Sequence, residues 1–152
     1  MSKEQEVLET REAVRSLMRD SVTKILLGHS QLTPAQLETL LTDSLSQGGE
    51  IRKSQRRLYR PSKARISRGA YNRTLIQAQN NVIRSIYTIL LLGYLELFDS
   101  SSLQPFLELS DTIDSFVKEA KQTSPTAIEE LRMRLLEFAT ALARRKSFKD
   151  AL

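Results

Sequence analysis

The chain has 152 residues, 40% of them hydrophobic and 27% charged, so its size and composition are those of one globular domain with its own core. It has no cysteine, which excludes disulfides and thiolate zinc sites, and its five glycines and four prolines disfavour a turn-rich β architecture. Lys and Arg outnumber Asp and Glu by 23 to 18, which gives a formal net charge of +5.

The first helix is predicted from Ser2 to Leu27, because apolar residues recur there at spacings of three, four and seven. Gly28 is its predicted end, and the lone His29 is interpreted as a surface or helix-capping residue. The first ten residues contain no apolar run. No secretory signal is therefore expected, and the protein is predicted to be cytoplasmic.

The second helix is predicted to begin at Pro34, where Thr33 can serve as N-cap and Gln36 can close a capping box. It should end near Ser46. Its predicted core-facing stripe consists of leucines at helical spacing, namely Leu37, Leu40, Leu41 and Leu45.

Residues 47–66 are predicted to form a basic arm or loop. After Gly48 and Gly49 the stretch is nearly devoid of apolar residues, and Pro61 biases Arg60 away from helical geometry. A connection of this length is usually functional or disordered. We therefore expect an exposed arm that contributes nothing to the core.

The third helix is predicted from a Ser67 cap to about Phe98. Its first half is amphipathic, whereas after Arg84 it is apolar nearly all round, which predicts burial in a core or a subunit interface. The apolar stretch Ser85 to Phe98 would span about 20 Å, short of the ~30 Å of a bilayer core, so no membrane span is expected.

Two further helices are predicted, one opening near Pro105 and one at Ser124-Pro125. The predicted fold is therefore all-α, a single domain over residues 1–152. It is expected to be a compact bundle of about five helices around a long, largely buried central helix, with the basic arm between helices two and three.

The charge distribution is the most informative feature of the sequence. Residues 51–95 contain ten Lys and Arg residues and no Asp or Glu. The rest of the chain contains the other 13 basic residues and all 18 acidic ones, so its formal charge is −5. Such asymmetry favours a polyanionic partner, because phosphate contacts need cationic donors spread along a backbone. A solvated, self-repelling loop is the alternative interpretation.

The predicted nucleic-acid contacts comprise the arm and the start of the third helix, with Tyr59 available to stack on a base. They are Arg52, Lys53, Arg56, Arg57, Tyr59, Arg60, Lys63, Arg65, Ser67, Arg68, Asn72 and Arg73. If the arm is exposed, replacing Arg56, Arg57 and Arg60 by Ala should weaken binding and leave stability almost unchanged.

Residues 66–75, with the sequence ISRGAYNRTL, resemble the opening of a recognition helix in helix-turn-helix DNA-binding proteins. The resemblance implies that Ser67 caps the helix and contacts phosphate, that Leu75 anchors it, and that three donors face the groove. Those donors are Arg68, Asn72 and Arg73. In this sequence a basic arm replaces the short turn of that family. The three donors can therefore read bases or only bind phosphates. A third interpretation is that this segment is the first turn of a core helix that is basic without binding DNA.

The sequence offers little for catalysis. It has no glycine-rich phosphate loop, no H-E-x-x-H motif and no cysteine nucleophile. We therefore expect a protein that is not an enzyme and that needs no cofactor or metal.

The predicted function is binding of double-stranded DNA, as a transcription regulator or chromatin-like protein, by a homodimer with no membrane association. Two alternatives are an RNA-binding or ribonucleoprotein subunit and a helical adaptor whose arm docks on an acidic partner. Leu90→Asp is expected to unfold the protein or break its oligomer, because it places an unpaired carboxylate in buried surroundings.

Overall fold

The computed structural model describes residues 3–46, 53–62, 66–95, 97, 126, 129 and 133. The chain divides into two compact units, Met1–Ile86 and Tyr87–Leu152. The described elements are α1 (Lys3–Arg19), α2 (Ser21–Gly28), α3 (Pro34–Leu45), a 3-10 helix (Lys53–Tyr59) and α4 (Arg68–Tyr94). No strand occurs among these residues, which confirms the all-α prediction for the part of the chain described.

The predicted first helix is two helices, because Asp20 ends α1 and caps α2. Its carboxylate accepts a hydrogen bond from the backbone N–H of Thr23 at 2.7 Å, with Asp20 itself at a non-helical ψ of 135°. A short acidic side chain at this position satisfies one of the unpaired N–H groups of a new helix. His29 follows α2 as an exposed C-cap whose N–H donates to Leu26 O at 3.3 Å, which confirms its predicted capping role.

Helix α3 begins where its capping signal predicts. The Gln36 N–H donates to Thr33 Oγ1 at 3.3 Å, and the Thr33 N–H donates to Gln36 Oε1 at 3.0 Å. Pro34 occupies the first helical position. The capping-box prediction is confirmed. The capping box fixes the start of α3, the helix that carries Glu38 and Asp43.

The buried face of α3 is polar, contrary to the predicted leucine stripe. Glu38, Thr39 and Thr42 are 4%, 0% and 0% exposed, whereas Leu45 is 45% exposed. The hydroxyls of Thr39 and Thr42 donate to the carbonyls of Ala35 and Glu38, each at 2.7 Å. These bonds to the preceding turn satisfy the hydroxyls and let a polar face be enclosed.

Residues 53–62 contribute to the core, so the prediction of an exposed arm that adds nothing to it is wrong for this part. The 3-10 helix packs against α1 and α3. Tyr59 is 0% exposed and Arg60 is 3% exposed. Local hydropathy missed this because the partners of both side chains come from distant helices.

Helix α4 begins after Ser67, as predicted. Ser67 Oγ accepts from the Ala70 N–H at 3.2 Å, and Ser67 O accepts from the Tyr71 N–H at 3.0 Å. Tyr71 and Ala78 are 2% and 0% exposed, so the first half of α4 has a buried side, as its amphipathic pattern predicts. The Asn81 Nδ2 group donates to Gln31 O at 3.1 Å and holds α4 against the loop before α3.

In the second unit, the last turns of α4 are exposed. Six of the apolar side chains there are 40 to 85% exposed, so the predicted burial of this half is not found for them. They are Tyr87, Ile89, Leu90, Leu91, Tyr94 and Leu95. The predicted helices near Pro105 and Ser124 lie outside the described residues, apart from helical positions at 126, 129 and 133.

The apolar composition of these turns indicates that another surface covers them. That surface can belong to the same chain or to a second chain. Within the part of the chain that is described, no helix has the length and apolar character to cross a membrane.

Candidate nucleic-acid interface

The predicted contact residues separate into three groups. Arg52, Lys63 and Arg65 lie outside the described residues, and the side chain of Lys53 is likewise not described. A second group is used inside the fold, namely Arg56, Arg57, Tyr59 and Arg60. A third group is exposed at the start of α4, namely Ser67, Arg68, Asn72 and Arg73.

Arg60 is held by Glu38 of α3. Arg60 Nε donates to Glu38 Oε2 at 3.1 Å, and Arg60 Nη2 donates to the same oxygen. The Ser62 N–H donates to Glu38 Oε1 at 2.7 Å, and the Ser62 hydroxyl also donates to this carboxylate. The two charged side chains are 3% and 5% exposed. Arg60 is therefore not available to a nucleic acid, contrary to the prediction.

The hydrogen bonds of Glu38 outweigh the effect of its burial. Burial alone would raise the pKa of the Glu38 carboxyl, but the donors from Ser62 and Arg60 together hold that pKa below its usual range. The carboxylate is thus charged at neutral pH and matches the one charge of Arg60. The pair anchors residues 60–62 to α3.

A second ion pair joins Arg56 to Asp43 near the other end of α3. Arg56 Nη1 lies 2.8 Å from Asp43 Oδ1, and the two side chains are 11% and 15% exposed. Arg57 Nη1 donates to the carbonyl of Ile66 at 3.0 Å, which ties the 3-10 helix to the residue before the α4 cap. Both arginines therefore make hydrogen bonds inside the fold, and both side chains are only partly exposed.

Two tyrosines lie within this network. The Tyr59 hydroxyl donates to Glu6 Oε1 at 3.3 Å, and burial together with that carboxylate raises the pKa of Tyr59 to about 12. Burial, with Asp43 nearby, also raises the pKa of Tyr71 to about 12. Tyr59 is fully enclosed, so the prediction that it stacks on a base is wrong for this conformation.

The acidic partners Glu6, Glu38 and Asp43 were not predicted from the sequence. They lie on α1 and α3, and Glu38 is 22 residues from Arg60 while Glu6 is 53 residues from Tyr59. The available signal was the polar side of α3, where Glu38 and Thr42 share a face at a spacing of four.

The third group forms a surface that we call the α4 amino-terminal surface, defined by Ser67, Arg68, Asn72 and Arg73. All four are exposed, and Arg68 and Asn72 lie on one face because they are four residues apart. The positive end of the α4 dipole adds to the charge of the two arginines. The arrangement can hold an anion between guanidinium and amide donors.

Within the described residues, no three His, Cys, Asp or Glu side chains come together as a possible metal site. No family model, no curated protein and no solved structure matches this chain.

Proposed function

We propose that this chain binds nucleic acid, with double-stranded DNA preferred, and that the α4 amino-terminal surface makes the first contacts. Arg68 and Arg73 supply cationic donors, and Ser67 and Asn72 supply polar ones. Arg52, Lys53, Lys63 and Arg65, which precede α4 in sequence, extend the contacts along the phosphate backbone. The proposed role is that of a cytoplasmic, non-enzymatic regulator or chromatin-like protein without a cofactor.

One observation carries the proposal. Residues 51–95 hold ten basic residues and no acidic one. Within the described part of this segment, Arg56 is paired with Asp43 and Arg60 with Glu38. The acidic partners come from outside the segment, which has only positive charges of its own. Such a segment attracts a polyanion, and a helix amino terminus bearing arginines is a suitable place for a phosphate.

The internal ion pairs support the proposal in a second way. They hold residues 56–62 on α3, and the bond from Arg57 to Ile66 fixes the approach to the α4 cap. A contact surface whose backbone is held before the ligand arrives loses less conformational entropy on binding. The buried arginines are thus proposed to position the exposed ones.

Dimerisation belongs to the same proposal. The exposed apolar residues of α4 from Tyr87 to Leu95 would be covered by a second copy, which would also double the number of phosphate contacts. The finer arrangement, a single five-helix bundle domain with α4 at its centre, stays a prediction.

A competition gel shift tests the proposal. Duplex DNA, single-stranded DNA and duplex RNA of equal length compete for the full chain at about 50 mM and 200 mM salt. We expect duplex DNA to be bound best and affinity to fall steeply at the higher salt. A preference for RNA would favour the alternative of an RNA-binding subunit. Binding to anionic vesicles with no shift of any nucleic acid would overturn the proposal.

A further inference from the structure

A cleft of about 480 Å³ lies within the first unit, and none of the four residues of the α4 amino-terminal surface lines it. It is bounded by side chains from α1, from the first two turns of α3, from residues 60–62, from Ile66 and from Thr74 of α4. A volume of this size falls within the range of small-molecule sites, roughly 300 to 1,000 Å³. The cleft can therefore hold a ligand larger than water or a simple ion.

The walls of the cleft are largely apolar. The residues that form them are Met18, Pro34, Ala35, Pro61 and Ile66. The polar residues Glu38 and Arg60 also line it, but each already satisfies the other through the buried ion pair. A ligand with an apolar body would bury its surface here without breaking that pair.

Two arginines of α1 bring positive charge to the lining of the cleft. Arg15 and Arg19 line the cleft, and Arg15 is paired with Glu12, an exposed partner at a spacing of three. Arg19 is exposed and forms no ion pair with a described carboxylate. The first turn of α3 brings the positive end of its dipole to the same cleft. One anionic group is thus favoured in the cleft, beside Arg19.

We infer that this cleft binds a small amphipathic carboxylate, with the carboxylate at Arg19 and the apolar body along Met18, Pro61 and Ile66. Arg15 also lines the cleft and supplies a second donor if it leaves Glu12. An Arg side chain can bind a carboxylate with two parallel hydrogen bonds. The inference does not depend on nucleic-acid binding, since it uses none of the exposed residues of α4.

The test uses the full chain and two matched probes, phenylacetate and its uncharged amide phenylacetamide. Backbone amide NMR titrations follow Met18, Ala35 and Ile66. We expect phenylacetate to shift these resonances at millimolar concentration and to bind about tenfold more tightly than the amide, because one charge-assisted contact separates them. Arg19→Gln should remove that difference, whereas Lys24→Gln, an exposed cation of α2 away from the cleft, should keep it.

Circular dichroism of both variants establishes that they are folded. The inference is overturned if neither probe shifts the cleft resonances, if both probes bind equally to the unmodified chain, or if Arg19→Gln and Lys24→Gln have the same effect. Loss of the difference in Arg19→Gln alone, with the amide still bound weakly, supports it.

Discussion

Arg60 and Glu38 form an enclosed ion pair in which two guanidinium nitrogens donate to one carboxylate oxygen. The pair joins a basic segment to a helix that presents its polar face inward. Some residues that look from the sequence like ligand contacts, Arg56 and Arg60 among them, are therefore engaged inside the fold.

Removing one partner of this pair should destabilise the protein strongly. Glu38→Ala leaves Arg60 buried and unpaired, so we expect the free energy of unfolding to fall by about 3 to 5 kcal/mol in urea titrations. Glu12→Ala removes the exposed ion pair with Arg15 and should change the free energy of unfolding by less than about 1 kcal/mol.

The double variant Glu38→Ala/Arg60→Ala gives the coupling between the two side chains. It should be more stable than the sum of the two single changes implies, because neither charge is left alone. Equal losses for Glu38→Ala and Glu12→Ala would contradict the enclosed geometry.

The same pair predicts acid sensitivity. Because the pKa of Glu38 is lowered in the folded state, the contribution of this carboxylate to stability is complete at pH values above the ordinary pKa of a glutamate. It is lost as the pH falls through the lower folded pKa. The difference in unfolding free energy between the unmodified chain and Glu38→Gln should therefore shrink between pH 7 and strongly acidic pH. A difference that stays constant over that range would rule out the assigned cause.

At alkaline pH the two buried tyrosines should control stability. Their pKa of about 12 in the folded state lies above the ordinary value near 10, so the unfolded chain loses these protons first. Stability should fall between about pH 10 and pH 12 by up to about 1.4 kcal/mol per pH unit for each tyrosine.

Phenolate absorbance separates the contributions. Tyr59→Phe and Tyr71→Phe should each remove a late-titrating component, and Tyr94→Phe, which changes an 85% exposed side chain, should leave that component in place. A late component that survives in the double variant Tyr59→Phe/Tyr71→Phe would assign it to other residues.

The exposed apolar turns of α4 predict self-association. Leu90→Asp should convert a dimer to a monomer in sedimentation experiments, because a carboxylate would have to be desolvated in the interface. Leu8→Asp, on α1, is the matched control, since Leu8 and Leu90 are both 60% exposed. Leu8→Asp should keep the dimer. A monomeric unmodified chain, or equal dissociation in both variants, would show that this surface is not a dimer interface.

The sequence predicted those parts of the fold that adjacent residues control. Thr33 and Gln36 define the start of α3, and Ser67 defines the start of α4, because each cap bonds to backbone within three residues. Asp20 has the same chemistry, but continuous apolar periodicity across it concealed the break between α1 and α2.

The burial of Tyr59 and Arg60 could not be predicted in this way. Their partners are on helices far away in sequence, and a run of arginines has the same local pattern whether it is solvated or paired. The exposure of Arg73 was predictable, because helical periodicity places it opposite the buried residues Tyr71 and Ala78 of α4.

Exposed cations at the start of α4 are proposed to contact nucleic-acid phosphates. The most direct measurement is the affinity for a fluorescent DNA duplex across a salt series, compared among the unmodified chain, Arg68→Gln/Arg73→Gln and Lys24→Gln. If about six phosphates are contacted, log K should fall against log[salt] with a slope of roughly −5. The double variant should weaken binding and make the slope shallower by about 2, while Lys24→Gln should change neither. A slope near zero, or identical slopes for the double variant and the unmodified chain, would contradict the claim.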